Sequence, residues 1–299
     1  MYIAILGRQP AIGIAELERL YGAVSWFSDN TALVRAASVG LAHLGGSQKV
    51  GRVVAERPQR SSTSDWVNAS RKRVSAYADA WRTHEGKITL GISAYGFRVS
   101  PRDIQKTGII LKKKLKETNV SLRLIPNDAA ALSTATSHHN KLGLSPNKVE
   151  LLVVRGSDGT IVIAESIGAQ NITAYARRDQ GRPKRDAFVG MLPPKLAQIM
   201  INLATPVEPL ARLSEGTSAA RVSRDAGALA EARREAVPED TATEEAILTV
   251  LDPFCGTGVV LQEAALKGYS VYGTDLSPKM IDFSAQNLEW LAATHRVTV

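Results

Sequence analysis

The sequence predicts a mixed chain, part α+β and part α/β, divided into two or three domains. Three observations carry this. The length of 299 residues is about twice that of an ordinary domain. Strand-like and helix-like periods alternate along the chain instead of segregating into blocks. Charge is split: residues 1–200 carry 29 Lys+Arg against 15 Asp+Glu, and residues 201–299 carry 8 against 14. A basic two-thirds joined to an acidic third implies two tasks, the first suited to holding a polyanion.

Composition excludes several classes. Hydrophobic residues at 44% and charged residues at 22% are those of a globular protein, not of a collagen, a disordered chain or a membrane bundle. The longest apolar runs, Val149–Val154 and Ile247–Leu251, are too short to span a bilayer. The opening MYIAILGRQP lacks a basic n-region and its apolar run breaks at Gly7-Arg8, so no signal peptide and a cytoplasmic location are expected. The single cysteine, Cys255, excludes a disulfide framework within the chain and a cysteine zinc site.

Residues 1–60 read as β-α-β-β-α. Tyr2–Leu6 is a strand, and Ala15–Tyr21 is a helix with Ile14, Leu17 and Leu20 at helical spacing. Val24–Phe27 and Thr31–Arg35 form a hairpin, and Val39–Leu44 is a second short helix. That order suggests a ferredoxin-like module.

Residues 61–175 form a second unit. Ser64–Trp81 reads as helix and Ile88–Ala94 as strand. Ser100-Pro101-Arg102-Asp103 is a helix start: Ser at the N-cap, Pro at the first helical position, and Asp placed to complete a capping box. The helix runs to about Glu117, with Ile104, Gly108, Leu111 and Leu115 on its buried stripe. Ser121–Ile125 is a strand, and Ala129–Lys141 holds a helix. Val149–Val154 and Thr160–Glu165 pair around Gly156-Ser157-Asp158-Gly159. The adjacent His138-His139 point to different sides of a helix, so a surface role is expected and no metal site.

Residues 176–190 are a basic, turn-rich connector, and Leu192–Ala204 is a helix opened by two prolines. Residues 206–245, rich in Ala, Glu, Arg, Ser and Thr, read as a flexible insertion. The rest reads β-α-β-α: Ile247–Leu251, Val259–Lys267, Ser270–Thr274 and Pro278–Leu291, with Arg296–Val299 opening a third strand.

The chemistry sits at the first of these turns. A strand ends at Asp252, a glycine turn Gly256-Thr257-Gly258 opens a helix, and a second strand ends at Asp275. This places a nucleotide-like ligand at the carboxyl ends of parallel strands. Glycines let backbone approach the ligand, and a terminal carboxylate accepts from both ribose hydroxyls. Val259 and Val260 stand where a P-loop needs Lys, and Leu261 stands where a dinucleotide fingerprint needs Gly. Asp252 repels phosphate and attracts a cation. S-adenosylmethionine, with an ammonium, a sulfonium and no phosphate, meets these demands. A nicotinamide enzyme using the glycine turn is the alternative.

Asp252–Gly258, DPFCGTG, resembles motif I of the class I methyltransferases that modify RNA bases and carry a THUMP RNA-binding domain. Arg177–Ala204 is similar to the lead-in helix of that family's catalytic domain, Gly273-Thr274-Asp275 to its ribose acid, and Asn287-Leu288 to part of its second helix. The nearest branch methylates the exocyclic amino group of a guanosine in tRNA. The resemblance implies a ferredoxin-like domain at 1–60, a THUMP domain at 61–175, a basic linker at 176–190 and a partial Rossmann-like methyltransferase domain at 191–299. It implies that Asp252, Pro253, Phe254, Cys255, Gly256, Thr257 and Gly258 cradle the methionine part of S-adenosylmethionine. Asp275 would bind ribose and Leu276 would line the adenine pocket. Cys255 is expected to be a packing residue.

With tRNA as the implied partner, the cations at the helix after Ser100 become phosphate contacts: Arg98, Arg102, Lys106, Lys112, Lys113, Lys114 and Lys116. The family completes its active site with an (Asp/Asn)-Pro-Pro-(Tyr/Phe) motif, and none occurs in these 299 residues. A truncated catalytic domain is therefore expected, with its first strand an exposed apolar edge. A non-catalytic RNA-binding fragment, or half of a split enzyme completed by a second chain, is the competing reading.

Overall fold

The computed structural model describes residues 1–54, 59–69, 74–76, 78–82, 86–188, 190, 192–205 and 248–295. The expected insertion at 206–245 and the strand start at 296–299 lie outside the described residues. The chain divides into two compact units, Met1–Thr173 and Ala174–Val299.

The first unit holds strands β1 (Tyr2–Leu6), β2 (Val24–Ser28), β3 (Thr31–Val34), β4 (Ser47–Val53), β5 (Gln59–Arg60), β6 (Lys87–Tyr95), β7 (Ser121–Leu124), β8 (Lys148–Arg155) and β9 (Thr160–Ala169). Its helices are α1 (Pro10–Tyr21), α2 (Trp66–Ala69), α3 (Pro101–Lys116) and α4 (Thr134–His139). One sheet takes all nine strands, in the order β2-β3-β1-β4-β9-β8-β6-β7, with β5 also paired to β9. β6 runs parallel to β7 and β8, and the other pairs are antiparallel.

The core follows from the alternation. Ile88, Leu90 and Ile92 of β6 pack against Ile104, Leu111 and Leu115 of α3. Ile14 and Leu17 of α1 cover Leu6, Val34 and Val50. The expected start of α3 forms as a cap: Ser100 Oγ accepts from the Asp103 backbone N–H at 3.2 Å and donates to Asp103 Oδ2 at 2.7 Å.

The fold refines the sequence reading in several places. The boundary drawn at residue 60 falls inside the sheet, because β4 hydrogen-bonds to β9 over Lys49–Val53. β4 itself was not foreseen. Val39–Leu44 forms only a single 3-10 turn, Leu41–His43. The helix expected within Ala129–Lys141 is Thr134–His139, and residues 127–132 before it lie along β6. β7 ends at Leu124, so the rest of β6 takes other partners: Ala94 N–H donates to the Ala130 carbonyl at 2.9 Å, and Asn127 Nδ2 to the Ile92 carbonyl at 2.8 Å. Of the helix expected over 64–81, the described residues 66–69 and 74–76 are helical and Ala78–Trp81 forms a 3-10 turn.

A buried charge pair crosses this sheet. Lys49 of β4 and Glu150 of β8 are both almost fully enclosed, and the Lys49 ammonium donates to Glu150 Oε1. Lys49 also donates to the Leu132 carbonyl at 2.8 Å, and Ser93 Oγ donates to Glu150 Oε1 at 2.6 Å. Hydrogen bonds to the ions are what make such burial tolerable.

The second unit holds α5 (Ile172–Gln180), whose first two residues belong to the first unit, then α6 (Pro194–Ala204), β10 (Thr249–Asp252), α7 (Val259–Leu266), β11 (Ser270–Gly273) and α8 (Pro278–His295). The expected connector thus begins as helix. β10 and β11 are parallel, and Leu261, Ala264, Val271, Leu288 and Leu291 form the core beside them. Among the described residues β10 pairs only with β11, and Leu251 is 60% exposed. No described helix is long and apolar enough to cross a membrane.

Candidate functional site

The turn from β10 to α7 is held from three sides. At its start Asp252 Oδ1 accepts the Phe254 N–H at 3.1 Å, closing an Asx turn. From β11, the Thr274 carbonyl accepts Cys255 N–H at 2.9 Å, and Thr274 N–H donates back to the Asp252 carbonyl at 2.9 Å. Thr274 Oγ1 donates to the Pro253 carbonyl at 3.0 Å. Asp275 then spans the turn: Oδ2 accepts Gly256 N–H at 3.0 Å and Oδ1 accepts Ser277 N–H at 2.9 Å. Each oxygen keeps a lone pair, so these bonds orient the carboxylate without exhausting it.

The third side is α8. Asn287, fully buried, donates through Nδ2 to the Thr257 carbonyl at 2.9 Å and to the Lys184 carbonyl at 3.0 Å, and its Oδ1 accepts Lys184 N–H at 3.0 Å. One amide therefore joins the glycine turn to the segment after α5. A second tie lies below it. Arg178 of α5 forms a two-pronged pair with Glu263 of α7, Nε to Oε1 at 2.6 Å and Nη2 to Oε2 at 3.2 Å. Burial pushes the Glu263 carboxyl up, and the Arg178 guanidinium opposes that shift.

Glycine is required at 258. Its φ is +81°, and an added Cβ would lie 2.5 Å from Ser284 Oγ. Two large apolar side chains flank the turn uncovered: Phe254 is 79% exposed and Leu276 is 97% exposed. Cys255 is buried, and that burial pushes its thiol up, with Asp252 and Asp275 adding in the same direction. A thiol so held is a poor nucleophile.

The structure brings Asp252–Gly258, Asp275 and Leu276 to one end of the β10–β11 pair. The cations of the first unit divide differently. Arg102, Lys106, Lys113 and Lys116 share one exposed face of α3 at helical steps, with the 44%-exposed Ile109 among them, and Lys112 lies beside it. Arg98 is exposed just before the helix. Lys114 turns away from this stripe, and its ammonium bonds Asp79 and the Ser75 carbonyl, each at 2.8 Å. Lys106 stands 3.8 Å from Asp103.

Sequence reasoning missed the roles of Asn287, Arg178 and Glu263. Their only advance signal was that Arg177–Ala204 and Asn287 both fall in segments carrying the resemblance. Among the described residues no group of three or more His, Cys, Asp or Glu side chains is placed to hold a metal.

No family profile matches the chain. Among solved structures, TrmN from Thermus thermophilus covers 99% of this chain and 70% of its own, at 16% identity and a TM-score of 0.48. A 4-thiouridine synthetase in complex with RNA and bound ATP covers 56% of this chain and 41% of its own, at 15% identity and a TM-score of 0.31. Among curated proteins, the tRNA (guanine(10)-N2)-dimethyltransferase of Methanothermobacter thermautotrophicus is 44% identical over 45 residues. That segment is 15% of this chain and 13% of the relative. Over this segment the chain is similar to a tRNA methyltransferase, the class to which the residues of the glycine turn had pointed.

Proposed function

We propose that this chain belongs to an S-adenosylmethionine-dependent tRNA methyltransferase that acts on the exocyclic amino group of a guanosine. The observation that carries the reading is the closure of Asp252–Gly258 onto Asp275 at the carboxyl ends of two parallel strands. The residues present suit this cofactor. Two carboxylates and no nearby P-loop lysine favour a cation over a phosphate, and exposed Leu276 and Phe254 offer apolar cover for a base. The bound cofactor supplies an electrophilic methyl on its sulfonium. Asp275 would accept from the ribose, and Asp252 with the glycine turn would hold the methionine part against backbone.

The first unit holds the RNA in this reading. Residues 1–60 supply the ferredoxin-like part and the following strands the THUMP part of one continuous sheet, with the α3 stripe on phosphates. The cations that do this are Arg98, Arg102, Lys106, Lys112, Lys113 and Lys116; Lys114 is committed to Asp79. Binding through phosphates positions the substrate, and an amine target must leave its stack to be reached. The 299 residues contain no Pro-Pro motif of the expected kind, so this reading assigns them no side chain that touches the reacting amine.

Calorimetric titration tests the cofactor. Binding of S-adenosylmethionine, lost in Asp275→Ala, is expected. Binding of NAD in its place would replace this reading with the nicotinamide one.

A further inference from the structure

The second unit carries a cationic surface that the reading above does not use. Residues 174–299 carry 14 Lys+Arg against 16 Asp+Glu, yet cations gather after α5 at Arg182, Lys184 and Arg185, and Lys279 of α8 joins them. Arg182 is buried, 3.4 Å from Asp179, and Lys279 pairs with Asp186 at 2.7 Å. Among the described residues Lys184 and Arg185 have no ion-pair partner. The Lys184 and Lys279 ammonium groups sit over one ring, 5.4 Å and 5.2 Å from the Phe283 centroid. Asp186 answers the Lys279 charge, so Lys184 and Arg185 carry the field that a polyanion would relieve. Phe188, which closes the turn, is 99% exposed.

This surface has a fixed seat. Asn287 holds the N–H and the carbonyl of Lys184 and, with the same amide, the Thr257 carbonyl of the glycine turn. Lys184 main chain and the candidate cofactor turn are thus one side chain apart. The bonds go to backbone, so the Lys184 ammonium, seated over the Phe283 ring, keeps its N–H donors for another acceptor.

We propose that the turn 182–188 is a second RNA contact, which lays a single-stranded segment beside the cofactor turn. Lys184 and Arg185 hold its phosphates, and Phe188 stacks on an unpaired base. Cations that follow a backbone, with an uncovered aromatic ring among them, are the elements of single-strand binding. The proposal rests on the RNA reading above and adds a contact on the unit that carries the cofactor turn.

The test uses the full chain and an unmodified tRNA transcript, with affinity measured across a salt series. The double variant Lys184→Ala/Arg185→Ala is expected to lower the slope of log affinity against log salt by about 1 to 2. Phe188→Ala is expected to weaken binding by about tenfold with the slope unchanged. Calorimetry with S-adenosylmethionine should give the parental affinity for both, which shows that the fold and the Asn287 tie survive. If the parent binds tRNA and the double variant keeps its slope and affinity, the proposal falls and the RNA reading stands. If the parent binds no tRNA, both fall.

Discussion

The two units bury an ion pair each, and the settings differ. In the first, Lys49 and Glu150 lie inside a sheet whose strands are paired on both sides, with Ser93 on Glu150 Oε1 and the Leu132 carbonyl on the Lys49 ammonium. In the second, Arg178 and Glu263 join two helices beside a two-stranded sheet. The first pair fastens a scaffold across strands far apart in sequence. The second fastens the helix that leads out of the glycine turn. Charge in the sheet ties β4 to β8 across the intervening β9, whereas charge between the helices braces the helix that follows the glycine turn.

The largest effect should come from breaking the first pair. Lys49→Met leaves Glu150 buried without its counter-ion and is expected to cost about 3 to 5 kcal/mol in denaturant unfolding. Adding Glu150→Leu should recover most of that loss. If the single variant unfolds like the parent, the pair contributes nothing to holding the sheet.

Asn287→Ala comes next. It strips partners from three main-chain groups, those of Lys184 and Thr257, and is expected to cost about 1 to 3 kcal/mol. It should also weaken S-adenosylmethionine binding, which Lys49→Met in its folded fraction should not. Equal ligand affinity in the two variants would erase the distinction between scaffold and turn. A smaller effect, about 1 kcal/mol in thermal unfolding, is expected for Ser100→Ala, which removes the cap of α3.

The smallest effect concerns the thiol. Burial holds Cys255 above the ordinary thiol range, so the folded chain retains that proton longer than the unfolded chain. Stability contributed by the neutral thiol is present below the ordinary range and declines as pH rises through it. Alkylation of the native chain at pH 8 should therefore be slow and should accelerate in denaturant. Rapid native labelling would mean that the turn opens.

Legibility followed the range of the interactions. The glycine turn, Asp275 and the capped α3 were readable because each depends on neighbours in sequence. β4 was not. Its sequence, SQKVGRV, offers no clean alternation, and Lys49 reads as a surface residue. Its burial requires Glu150, and Gly51 is needed because a Cβ there would lie 2.9 Å from Leu152 and 3.1 Å from Ala164. Those partners are about a hundred residues away, beyond any local pattern. α5 was hidden for the opposite reason: of its side chains only Tyr175 is buried, so no apolar stripe marks it. Of the candidate site, the glycine turn and Asp275 were legible and the Asn287 tie was not, because its partners are carbonyl and amide groups that carry no residue identity.

The position of β9 has a consequence for how the chain reaches its fold. β9 pairs with β4 on one side and β8 on the other, with Lys49 opposite Ala169. The strands β1 to β4 therefore leave the ribosome long before the strand that closes their open edge. Until β9 emerges, β4 presents unpaired backbone and an unmatched lysine to water. Such a late, distant closure makes for slow folding and a long exposure to mispairing. Lys49 is useful in that interval as well, since an edge strand that carries a charge on its inward face resists joining a wrong neighbour.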